Sequence, residues 1–401
     1  MRILMITDWL AAQGGVEAYT TWLRAGLQAA GDEVHLLTSA AGTAADGSAE
    51  FVAWGTNQVA AQIVLQVVNP FAVARVRGAL RVFRPDVVLV NTFAPHLSPA
   101  ILRPLRDVPT VLSVNDYKVI CPIGSKLLPN GGLCAQRAGL VCWRSGCVSL
   151  PHWLRDQPRY TLIRAAVRGV DRVLACSWWV QRELAANDIE AEHVSLPVPP
   201  PGASFRRAPA ARPTFVFCGR LQAEKGASLL LQAFARLHAE APTARLRIVG
   251  EGALRSQLER LAGALGLGDA VTFTGWLSPA AVEQQLSDAW ALVAPSLWAE
   301  PLGLVALEAM VRCVPVIASR NGGFGETVEH GLSGLLFPNG DTDALLEHLR
   351  AIASGEVFPT HSLAASVVQQ VAEAYSLDRH VARVRSIFEE VVLHRARALS
   401  R

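Results

Sequence analysis

The sequence contains two copies of a strand, glycine loop, helix and strand pattern, and this repetition restricts the fold more than any other feature. In the first copy, Arg2–Thr7 is rich in β-forming residues, and a loop with Gly14 and Gly15 follows. Val16–Ala30 then has apolar residues at helical spacing, and Glu33–Thr38 is predicted to be the next strand. Such a unit is typical of the start of a doubly wound parallel sheet with helices on both faces.

A proline-rich segment separates the two copies. Residues 196–202 read L-P-V-P-P-P-G, and proline excludes both a helix and a central strand. The pattern then restarts, with predicted strands at Thr214–Cys218 and Leu246–Val249 and a predicted helix at Ala227–Ala239 between them. We therefore predict an α/β protein with a first domain over residues 1–196, a linker over 197–202, a second domain over 203–375 and a final helix over 376–401.

Composition excludes several classes of protein. Hydrophobic residues make up 51% of the 401 residues and charged residues only 18%, so the chain can bury a core and is not disordered. A net charge of +3 does not support a nucleic-acid binder that neutralises phosphates. The absence of G-x-G-x-x-G and G-x-x-x-x-G-K-[ST] disfavours a nicotinamide dehydrogenase and a P-loop phosphotransferase.

No segment is predicted to span a membrane, because the longest apolar stretch, roughly Val59 to Val76, contains polar residues and a proline. The first residues show no cleavage site for secretion, so we expect a cytoplasmic protein with mostly reduced cysteines. Arg77, Arg81 and Arg84 share one predicted helix face. A solvated surface is the common explanation of such a stripe, and weak peripheral contact with anionic lipid at the inner membrane face is the alternative.

Loops after strands of the second half are predicted to face one crevice, because ligands of open α/β sheets bind beyond the carboxyl ends of the strands. The first loop, residues 219–226, carries Arg220 and Lys225 just before a predicted helix. Two cations together with helix-start amides can hold a diphosphate without a metal. The alternative is that both side chains pair with surface acids.

The second loop contains two glutamates, Glu300 and Glu308, with Pro301 suited to a first helical turn. If the intervening stretch is mostly helical, the two carboxylates lie roughly 12 Å apart along the axis. One could then accept hydrogen bonds from a sugar and the other from a ribose. Glu300 is alternatively a helix-start acid favoured by the dipole, whereas Glu308 lies among apolar residues and needs a partner.

A third loop, N-G-G-F-G-E over residues 321–326, lets backbone approach a ligand closely. Together the three loops resemble family 4 of the retaining, nucleotide-sugar-dependent glycosyltransferases with the GT-B fold. The motifs that carry this resemblance are Gly14-Gly15-Val16-Glu17, Gly219-Arg220-Leu221, Glu224-Lys225-Gly226, Val249-Gly250-Glu251-Gly252, Glu300-x7-Glu308 and Gly322-Gly323 with Glu326. The segments at residues 91–93, 97–99 and 116–122 are similar to a bacterial subgroup.

The resemblance implies two Rossmann-like domains that face a central cleft, with the final helix packing back on the first domain. It also implies roles for individual residues. Arg220 and Lys225 would hold the donor diphosphate, Glu300 the donor sugar and Glu308 the ribose. The resemblance also implies donor-binding roles for Gly14 and Gly15 over the phosphates, for Gly250, Glu251, Gly252, Trp276 and Leu277 around the nucleobase, and for the backbone of Leu302, Gly303 and Leu304 near sugar and phosphate. The remaining implied donor-binding residues are Gly219, Pro301, Gly322 and Gly323.

The sequence departs from the family at one position near the reaction centre. Relatives usually have a histidine after the strand that corresponds to Thr110–Val114, and this chain has Asn115, which forms hydrogen bonds but carries no charge. Asp116 is the polar contact if the register is shifted by one residue. Side chains that could line the acceptor site, or equally pack in the core, are Trp9, Phe93, His96, Trp178 and Trp179, and Tyr117 and Lys118 are further acceptor-side candidates.

The predicted reaction moves a sugar from a UDP-, GDP- or dTDP-sugar to a hydroxyl group, with retention of configuration and without a metal or cofactor. The acceptor is a polysaccharide intermediate, a lipid-linked intermediate or a small metabolite. One rival is a GT-B nucleotide-sugar epimerase or hydrolase, which Asn115 leaves open. The other is a catalytically silent nucleotide-sugar-binding protein.

Four cysteines lie close together in a glycine-rich segment: Cys121, Cys134, Cys142 and Cys147. Four thiols can bind zinc tetrahedrally, but no C-x-x-C spacing occurs here. Free thiols in a long loop, or a redox-labile pair, are the alternatives. We therefore predict no metal site, with zinc on these cysteines as the less favoured interpretation.

Overall fold

The computed structural model describes residues 1–10, 14–42 and 48–399 of the chain. These residues divide into two compact units. The N-terminal unit comprises residues 1–130, 134–197 and 377–401, and the C-terminal unit comprises residues 131–133 and 198–376. Each unit contains one parallel β-sheet, which confirms the predicted α/β class with two doubly wound sheets.

The N-terminal unit has a seven-stranded sheet in the order β3-β2-β1-β4-β5-β6-β7. Its strands are β1 (Arg2–Ile6), β2 (Glu33–Ser39), β3 (Phe51–Ala53), β4 (Val87–Val90), β5 (Thr110–Val114), β6 (Arg172–Ala175) and β7 (Glu192–His193). Its first helices are α1 (Gly15–Ala29), α2 (Val59–Leu65), α3 (Pro70–Phe83), α4 (Leu140–Arg144), α5 (Leu150–Val167) and α6 (Trp178–Ala185), and a 3-10 helix covers Pro99–Leu105. Central strands such as β4 are buried along their whole length, as expected when helices cover both faces of a parallel sheet.

The C-terminal unit has a six-stranded sheet in the order β10-β9-β8-β11-β12-β13. Its strands are β8 (Thr214–Cys218), β9 (Arg245–Val249), β10 (Val271–Gly275), β11 (Ala291–Ala294), β12 (Val316–Ser319) and β13 (Gly334–Phe337). Its helices are α7 (Ala227–Glu240), α8 (Arg255–Ala264), α9 (Pro279–Ser287), α10 (Leu304–Met310), α11 (Phe324–Thr327), α12 (Thr342–Ala353) and α13 (Ala365–Ala374). Two 3-10 helices cover Ala223–Lys225 and Gly268–Ala270.

The hydrophobic core of the C-terminal unit fixes the position of strand β8. Phe215 and Phe217 on β8 pack with Phe234 on α7 and with side chains of α12, and all three rings are buried. Burying large apolar side chains of this kind contributes about 1.5–3 kcal/mol each. This packing holds β8 rigidly, so the loop that follows it starts from a fixed point.

The final helix, α14 (Leu377–Leu399), belongs to the N-terminal unit. Buried hydrogen bonds hold it there, because His380 contacts the hydroxyl of Tyr19 through Nε2 at 3.1 Å and the carbonyl of Ser195 through Nδ1 at 2.8 Å. The Arg395 guanidinium also pairs with Asp171 at 2.6 Å. Residues 400 and 401 of the predicted helix lie outside the described residues.

Within the described ranges, no single helix is long and apolar enough to cross a bilayer. The pair α2 and α3 reaches that length and apolar character only when taken together, and the two helices are bent by 58° at the break between them.

Candidate active site

Four loops of the C-terminal unit meet at one edge of its sheet. They follow β9, β8, β11 and β12, which are neighbours in that order. All neighbouring strands in this sheet run parallel, so these loops all leave from carboxyl ends. This is the edge where open α/β sheets bind ligands.

Backbone hydrogen bonds tie these loops to one another. The loop after β11 is joined to the loop after β8, because the amide of Leu297 donates to the carbonyl of Glu224 at 2.8 Å. It is joined to the loop after β12, because the amide of Gly323 donates to the carbonyl of Glu300 at 2.7 Å. The loop after β9 is connected in the same way, through the amide of Leu221 and the carbonyl of Glu251 at 2.8 Å.

Two glycines at this edge allow the loops to approach so closely. Gly226 has a left-handed backbone with φ of 71°, and a Cβ atom there would collide with the carbonyl oxygen of Pro295. Gly322 also has a positive φ of 54°, and a Cβ atom on it would meet the backbone of Glu300. L-residues with a side chain rarely adopt such backbone angles, so both positions require glycine.

The centre of the candidate site is an ion pair between Lys225 and Glu300. The Lys225 Nζ donates to Glu300 Oε1 at 2.6 Å, and Ser296 Oγ donates to the same oxygen at 2.6 Å. The ammonium also lies 4.9 Å from the ring centre of Trp298, within cation–π distance. The structure therefore brings together two predicted site residues that are 75 positions apart in sequence.

The Glu300 carboxyl is ionised although it is only 6% exposed. Burial by itself raises its pKa, but the charge of Lys225 and the hydrogen bonds from Lys225 and Ser296 more than compensate and bring the pKa below its ordinary value. A buried carboxylate held in this way can accept hydrogen bonds from hydroxyl groups.

Arg220, the second predicted cation, is exposed at the start of the same loop. In the part of the chain that the structure describes, its guanidinium forms no ion pair or hydrogen bond. The alternative that Arg220 and Lys225 both pair with surface acids is therefore wrong for Arg220. Lys225 does pair with an acid, but that acid is the buried Glu300 of the predicted site.

Glu308 lies on α10, half-buried, and its side chain has no hydrogen-bond or ion-pair partner among the described residues. Burial raises the pKa of this carboxyl, and the charge of Arg312 opposes that effect only in part. Burial raises the pKa of the Cys218 thiol to about 12. The negative charge of Glu308 adds to this rise, and the positive charge of Lys225 opposes it. Glu308 and Lys225 thus both act on the carboxyl end of β8.

The prediction of a helix between the two glutamates was only partly right. Helix α10 begins at Leu304, not at Pro301, because Gly303 has a left-handed φ of 87° that a right-handed helix excludes. The axial rise of a helix therefore does not describe the separation of Glu300 and Glu308. Pro301, Leu302 and Gly303 are buried in the connection, which packs on Gly323 and Phe324.

The residues predicted to surround a nucleobase lie at the ends of β9 and β10. The amide of Gly250 donates to the carbonyl of Gly275 at 2.9 Å, which fixes the two strand ends together. Glu251 pairs with Arg255 on α8, and the Trp276 ring is 55% exposed. An exposed tryptophan next to a fixed glycine turn offers a flat surface on which a base can stack. Leu277, the last residue of this predicted group, is half-buried beside it.

In the N-terminal unit, the predicted acceptor-side residues fall into two groups. Phe93 and Tyr117 are buried. Trp9, in contrast, is half-buried with its ring 4.7 Å from the ring of His96. Lys118 is half-exposed, with its Nζ 3.7 Å from Asp116. Gly14 has an extended backbone and caps α1, and Gly15 is the first residue of that helix.

Asn115 and His96 are buried with unused polar atoms. The Asn115 Oδ1 accepts from Ser113 at 3.2 Å, while its Nδ2 finds no acceptor among the described residues. Both ring nitrogens of His96 also lack partners there, and burial lowers the pKa of this ring, so the ring is neutral. Buried polar atoms are costly to leave unpaired, so these atoms mark places where a bound molecule can hydrogen-bond.

Asp8 is a residue that the sequence analysis missed. It follows β1 and is fully buried, with Oδ1 accepting from the amides of His96 at 3.1 Å and Leu97 at 2.7 Å. Its Oδ2 has no hydrogen-bond partner among the described residues. An acid directly after a buried strand, at the carboxyl edge of the sheet, was the available signal.

We expect Asp8 to make stability depend on pH near neutrality. Burial raises the pKa of Asp8 from 3.8 to about 6. The hydrogen bond from the Leu97 amide and the charges of Lys118 and Arg159 lower this pKa, but by less than burial raises it. The folded state therefore binds this proton more tightly, and the Asp8 contribution to stability is lost as pH rises through about 6. Its size is about 1–3 kcal/mol.

Urea unfolding of the wild type and of Asp8→Asn across this pH range measures the contribution. The difference in unfolding free energy between the two proteins should shift in favour of the variant as pH rises from about 4 to about 7. A difference that stays constant over that range would contradict the assignment.

The zinc interpretation of the four cysteines is not supported. All four are described and unbridged, and the described residues contain no group of three or more His, Cys, Asp or Glu side chains placed to hold a metal ion. Burial also raises the pKa of the Cys121 and Cys147 thiols, which disfavours the thiolate form that zinc binds.

Comparison with known proteins agrees with this geometry. Residues 14–201 match the family model of the glycosyl transferase 4-like domain, and residues 204–367 match that of glycosyl transferases group 1. The two matched regions abut at the proline-rich segment and include the glycine loops, the Lys225–Glu300 pair and Glu308.

Among curated proteins, the chain is 28% identical over 240 residues to the α-D-kanosaminyltransferase of Streptomyces kanamyceticus, a match that covers 60% of each chain. It is 35% identical over 192 residues to a GDP-mannose-dependent α-(1-6)-phosphatidylinositol monomannoside mannosyltransferase of Mycobacterium tuberculosis, covering 40% of this chain and 49% of the relative. The chain thus spans about half the length of the curated relatives that it matches.

Solved structures share the fold over nearly the whole chain. Sucrose-phosphate synthase from Thermosynechococcus elongatus superposes with a TM-score of 0.77 at 21% identity, covering 98% of this chain and 100% of the other. Anabaena HepE, solved in complex with UDP-glucose, superposes with a TM-score of 0.69 at 18% identity, covering 96% and 99%. At these identities the likeness concerns the fold alone.

Proposed function

We propose a glycosyl transfer reaction for this chain, which belongs to the GT4-type glycosyltransferases with the GT-B fold. The chain transfers a sugar from a nucleoside diphosphate sugar to an acceptor hydroxyl, with retention of the anomeric configuration. The donor occupies the C-terminal unit and the acceptor the N-terminal unit. One observation carries the proposal: Lys225, paired with Glu300, and the unpaired Arg220 stand in loops at the carboxyl edge of the sheet.

The two cations serve the diphosphate leaving group. Cleavage of the bond between sugar and phosphate places negative charge on the diphosphate, and fixed cations stabilise that charge at little reorganisation cost. Without donor, the Lys225 ammonium is held by Glu300 at 2.6 Å. Donor binding gives Lys225 a phosphate partner and leaves the Glu300 carboxylate to accept hydrogen bonds from sugar hydroxyls.

For retention, we propose that the leaving diphosphate itself acts as the base. The leaving phosphate takes the proton of the acceptor hydroxyl on the face from which it departs, so the reaction needs no protein base. Asn115 fits this scheme because it offers a hydrogen bond without a charge, and its Nδ2 is unused in the described part of the molecule. Holding the acceptor hydroxyl beside the anomeric carbon offsets the entropy of association.

The donor is a UDP-, GDP- or dTDP-sugar, and the reaction requires no divalent metal because Arg220 and Lys225 take its place at the diphosphate. Named relatives use or bind such donors, GDP-mannose in one case and UDP-glucose in another. The acceptor is a polysaccharide intermediate, a lipid-linked intermediate or a small metabolite. The protein acts in the cytoplasm.

A nucleotide panel tests the proposal. Thermal unfolding with UDP, GDP and dTDP, each in the presence of EDTA, should reveal one nucleotide that raises the melting temperature, because a ligand of the folded state stabilises it. The matching nucleotide sugar should then release nucleoside diphosphate in the presence of an acceptor. A sugar isomer or free sugar formed without acceptor would favour an epimerase or hydrolase, and tight binding without turnover would favour a silent binder.

Glu308→Ala should weaken binding of the nucleoside diphosphate by about tenfold, because the variant lacks the carboxylate that accepts hydrogen bonds from the ribose hydroxyls. In the free protein this carboxylate is half-buried without a hydrogen-bond partner among the described residues. Stability should stay the same or rise, since burial of this charge is unfavourable in the free protein. Calorimetric titration measures the affinity, with Glu347→Ala, a change on α12 away from the carboxyl edge, as the control. Equal affinity in Glu308→Ala and wild type would remove the ribose assignment.

A further inference from the structure

One segment of the N-terminal unit is unusual in charge. Residues 51–85 contain four arginines, Arg75, Arg77, Arg81 and Arg84, and not a single aspartate or glutamate. The chain as a whole has nearly equal numbers, 37 basic against 34 acidic residues. A segment with one sign of charge produces a local positive potential that the net charge of +3 conceals.

The same segment exposes apolar side chains. Helix α2 has no buried residue, although its sequence is V-A-A-Q-I-V-L. Large apolar side chains that are at least 40% exposed in this segment are Val52, Trp54, Val59, Val64, Val68, Phe71 and Val82. The Trp54 and Phe71 rings contact each other at a centroid distance of 5.1 Å, so this surface is continuous from the end of β3 to the start of α3.

Helix α3 shows how apolar and basic groups share this face. It packs on the sheet through Ala72, Val76, Ala79 and Phe83, which are all buried. Its exposed side chains include Phe71 and Val82 on one flank of this buried stripe, and Arg77 and Arg81 on the far side of the helix. We call the exposed side chains of α2 and α3, together with Trp54, the outer surface.

A basic cavity adjoins the outer surface. Arg77 and Arg81 of α3 line it from one side, and Arg103 and Arg106 at the end of the 3-10 helix line it from the other, with Asp107 the one acid in its wall. Its volume is about 480 Å³. Among the described residues none of the four guanidiniums forms an ion pair, so a net positive charge faces an open cavity. We call this the arginine pocket.

We propose that the outer surface and the arginine pocket bind the surface of a bilayer containing anionic phospholipid. The apolar side chains of α2 and Phe71 enter the boundary between headgroups and acyl chains, and the arginine pocket holds a lipid phosphate. Surface binding fits better than a membrane span, because α2 and α3 are bent by 58° and Gln62, Gln66 and Asn69 interrupt the apolar run.

A bilayer matches these observations better than a soluble phosphate or a protein partner. A free phosphate would use the arginine pocket but leaves the exposed apolar side chains without a role. A contiguous apolar surface beside a basic cavity is what an interface of acyl chains and anionic headgroups requires. Each arginine near such a surface strengthens partition about fivefold, with an effect that salt weakens.

Co-sedimentation of the full chain with vesicles tests the proposal. The probes are vesicles of phosphatidylcholine alone and of phosphatidylcholine mixed with phosphatidylglycerol, at low and at high salt. We expect binding to the mixed vesicles, at least tenfold weaker binding to neutral vesicles, and loss of binding at high salt. Equal binding to both vesicle types, or binding to neither, would overturn the proposal.

Two pairs of variants locate the surface. The double variant Arg77→Gln with Arg81→Gln should weaken binding to the mixed vesicles about 25-fold, because each of the two arginines strengthens partition about fivefold. Val59→Ser with Val64→Ser, exposed by 71% and 69% in the wild type, should weaken it about tenfold. The matched controls in the C-terminal unit are Arg212→Gln with Arg260→Gln, which remove the same charge, and Leu265→Ser with Leu332→Ser, which remove apolar surface.

All these positions are exposed, so the variants should unfold at the wild-type temperature. Unchanged vesicle binding in the α2 and α3 variants, or an equal loss in the controls, would overturn the proposal. Full displacement from vesicles by inorganic phosphate would show a free-phosphate site instead and would also overturn it. Donor binding is measured separately by thermal shift with nucleotides. A protein that binds the nucleotide but not the vesicles would overturn the membrane proposal and leave the proposed glycosyl transfer standing.

Discussion

Lys225→Ala is expected to reduce kcat/KM for sugar transfer by about 100- to 1,000-fold, because it removes one fixed charge that stabilises the diphosphate as it leaves. Binding of the free nucleoside diphosphate should weaken as well. The structure supports a large effect, since Lys225 is mostly buried between Glu300 and the Trp298 ring and cannot be replaced there by solvent ions.

The same variant leaves the Glu300 carboxyl buried without its cation, and that lowers stability by about 1–3 kcal/mol. The double variant Lys225→Ala with Glu300→Gln separates the two effects. It should regain most of the lost stability, because the uncompensated charge is gone, while activity stays low. Lys225→Arg, which keeps the charge but changes the geometry, should fall between wild type and alanine. Full activity of Lys225→Ala would show that the diphosphate binds elsewhere.

Gly226→Ala is expected to destabilise the chain by about 2–4 kcal/mol and to abolish donor binding under assay conditions. The left-handed φ of 71° costs an alanine about 1 kcal/mol. The added Cβ would also collide with the carbonyl oxygen of Pro295, a backbone atom that cannot rotate away. Relief of the clash must separate the loop after β8 from the loop after β11, and this moves Lys225 away from Glu300.

Gly263→Ala is the control for this prediction. Gly263 lies in α8, and an added Cβ meets nothing within 4 Å. This change should be neutral or slightly stabilising, by up to about 1 kcal/mol, because alanine favours helix. Urea unfolding measures both variants. A Gly226→Ala protein as stable as Gly263→Ala would mean that the contact between the two loops is not needed.

Much of the fold could be predicted from the sequence. The strands Thr110–Val114 and Thr214–Cys218 have the predicted bounds, because each is a short apolar run with clear end signals, and the predicted final helix is observed over Leu377–Leu399. The strands β3, β7 and β13 were missed. They have three, two and four residues, which is too short for an alternating pattern to stand out.

The start of α10 was predicted wrongly because two local signals conflicted. Pro301 favours the first turn of a helix, but Gly303 two residues later takes a left-handed conformation that ends any helix begun before it. The close approach of Phe324 to Gly303 explains that conformation, because a side chain at Gly303 would collide with the ring. A contact between residues so far apart in sequence is not visible in a local pattern.

The candidate site was predicted as residue types but not as contacts. Arg220, Lys225, Glu300 and Glu308 followed from motifs, whereas the pairing of Lys225 with Glu300 depends on β8 and β11 being neighbours in the sheet. Strand order is a property of the whole fold. Asp8 escaped notice for a related reason, since its importance depends on burial and on the amides of His96 and Leu97.

A crystal structure with the bound nucleoside diphosphate sugar, grown without a chelator, tests the central claim most directly. We predict the diphosphate within hydrogen-bond distance of Arg220 and Lys225, the ribose on Glu308, and the Lys225 Nζ moved away from the Glu300 oxygen that it now contacts at 2.6 Å. A nucleotide anchored away from these residues, or a diphosphate held through a divalent ion with Lys225 still on Glu300, would contradict the account.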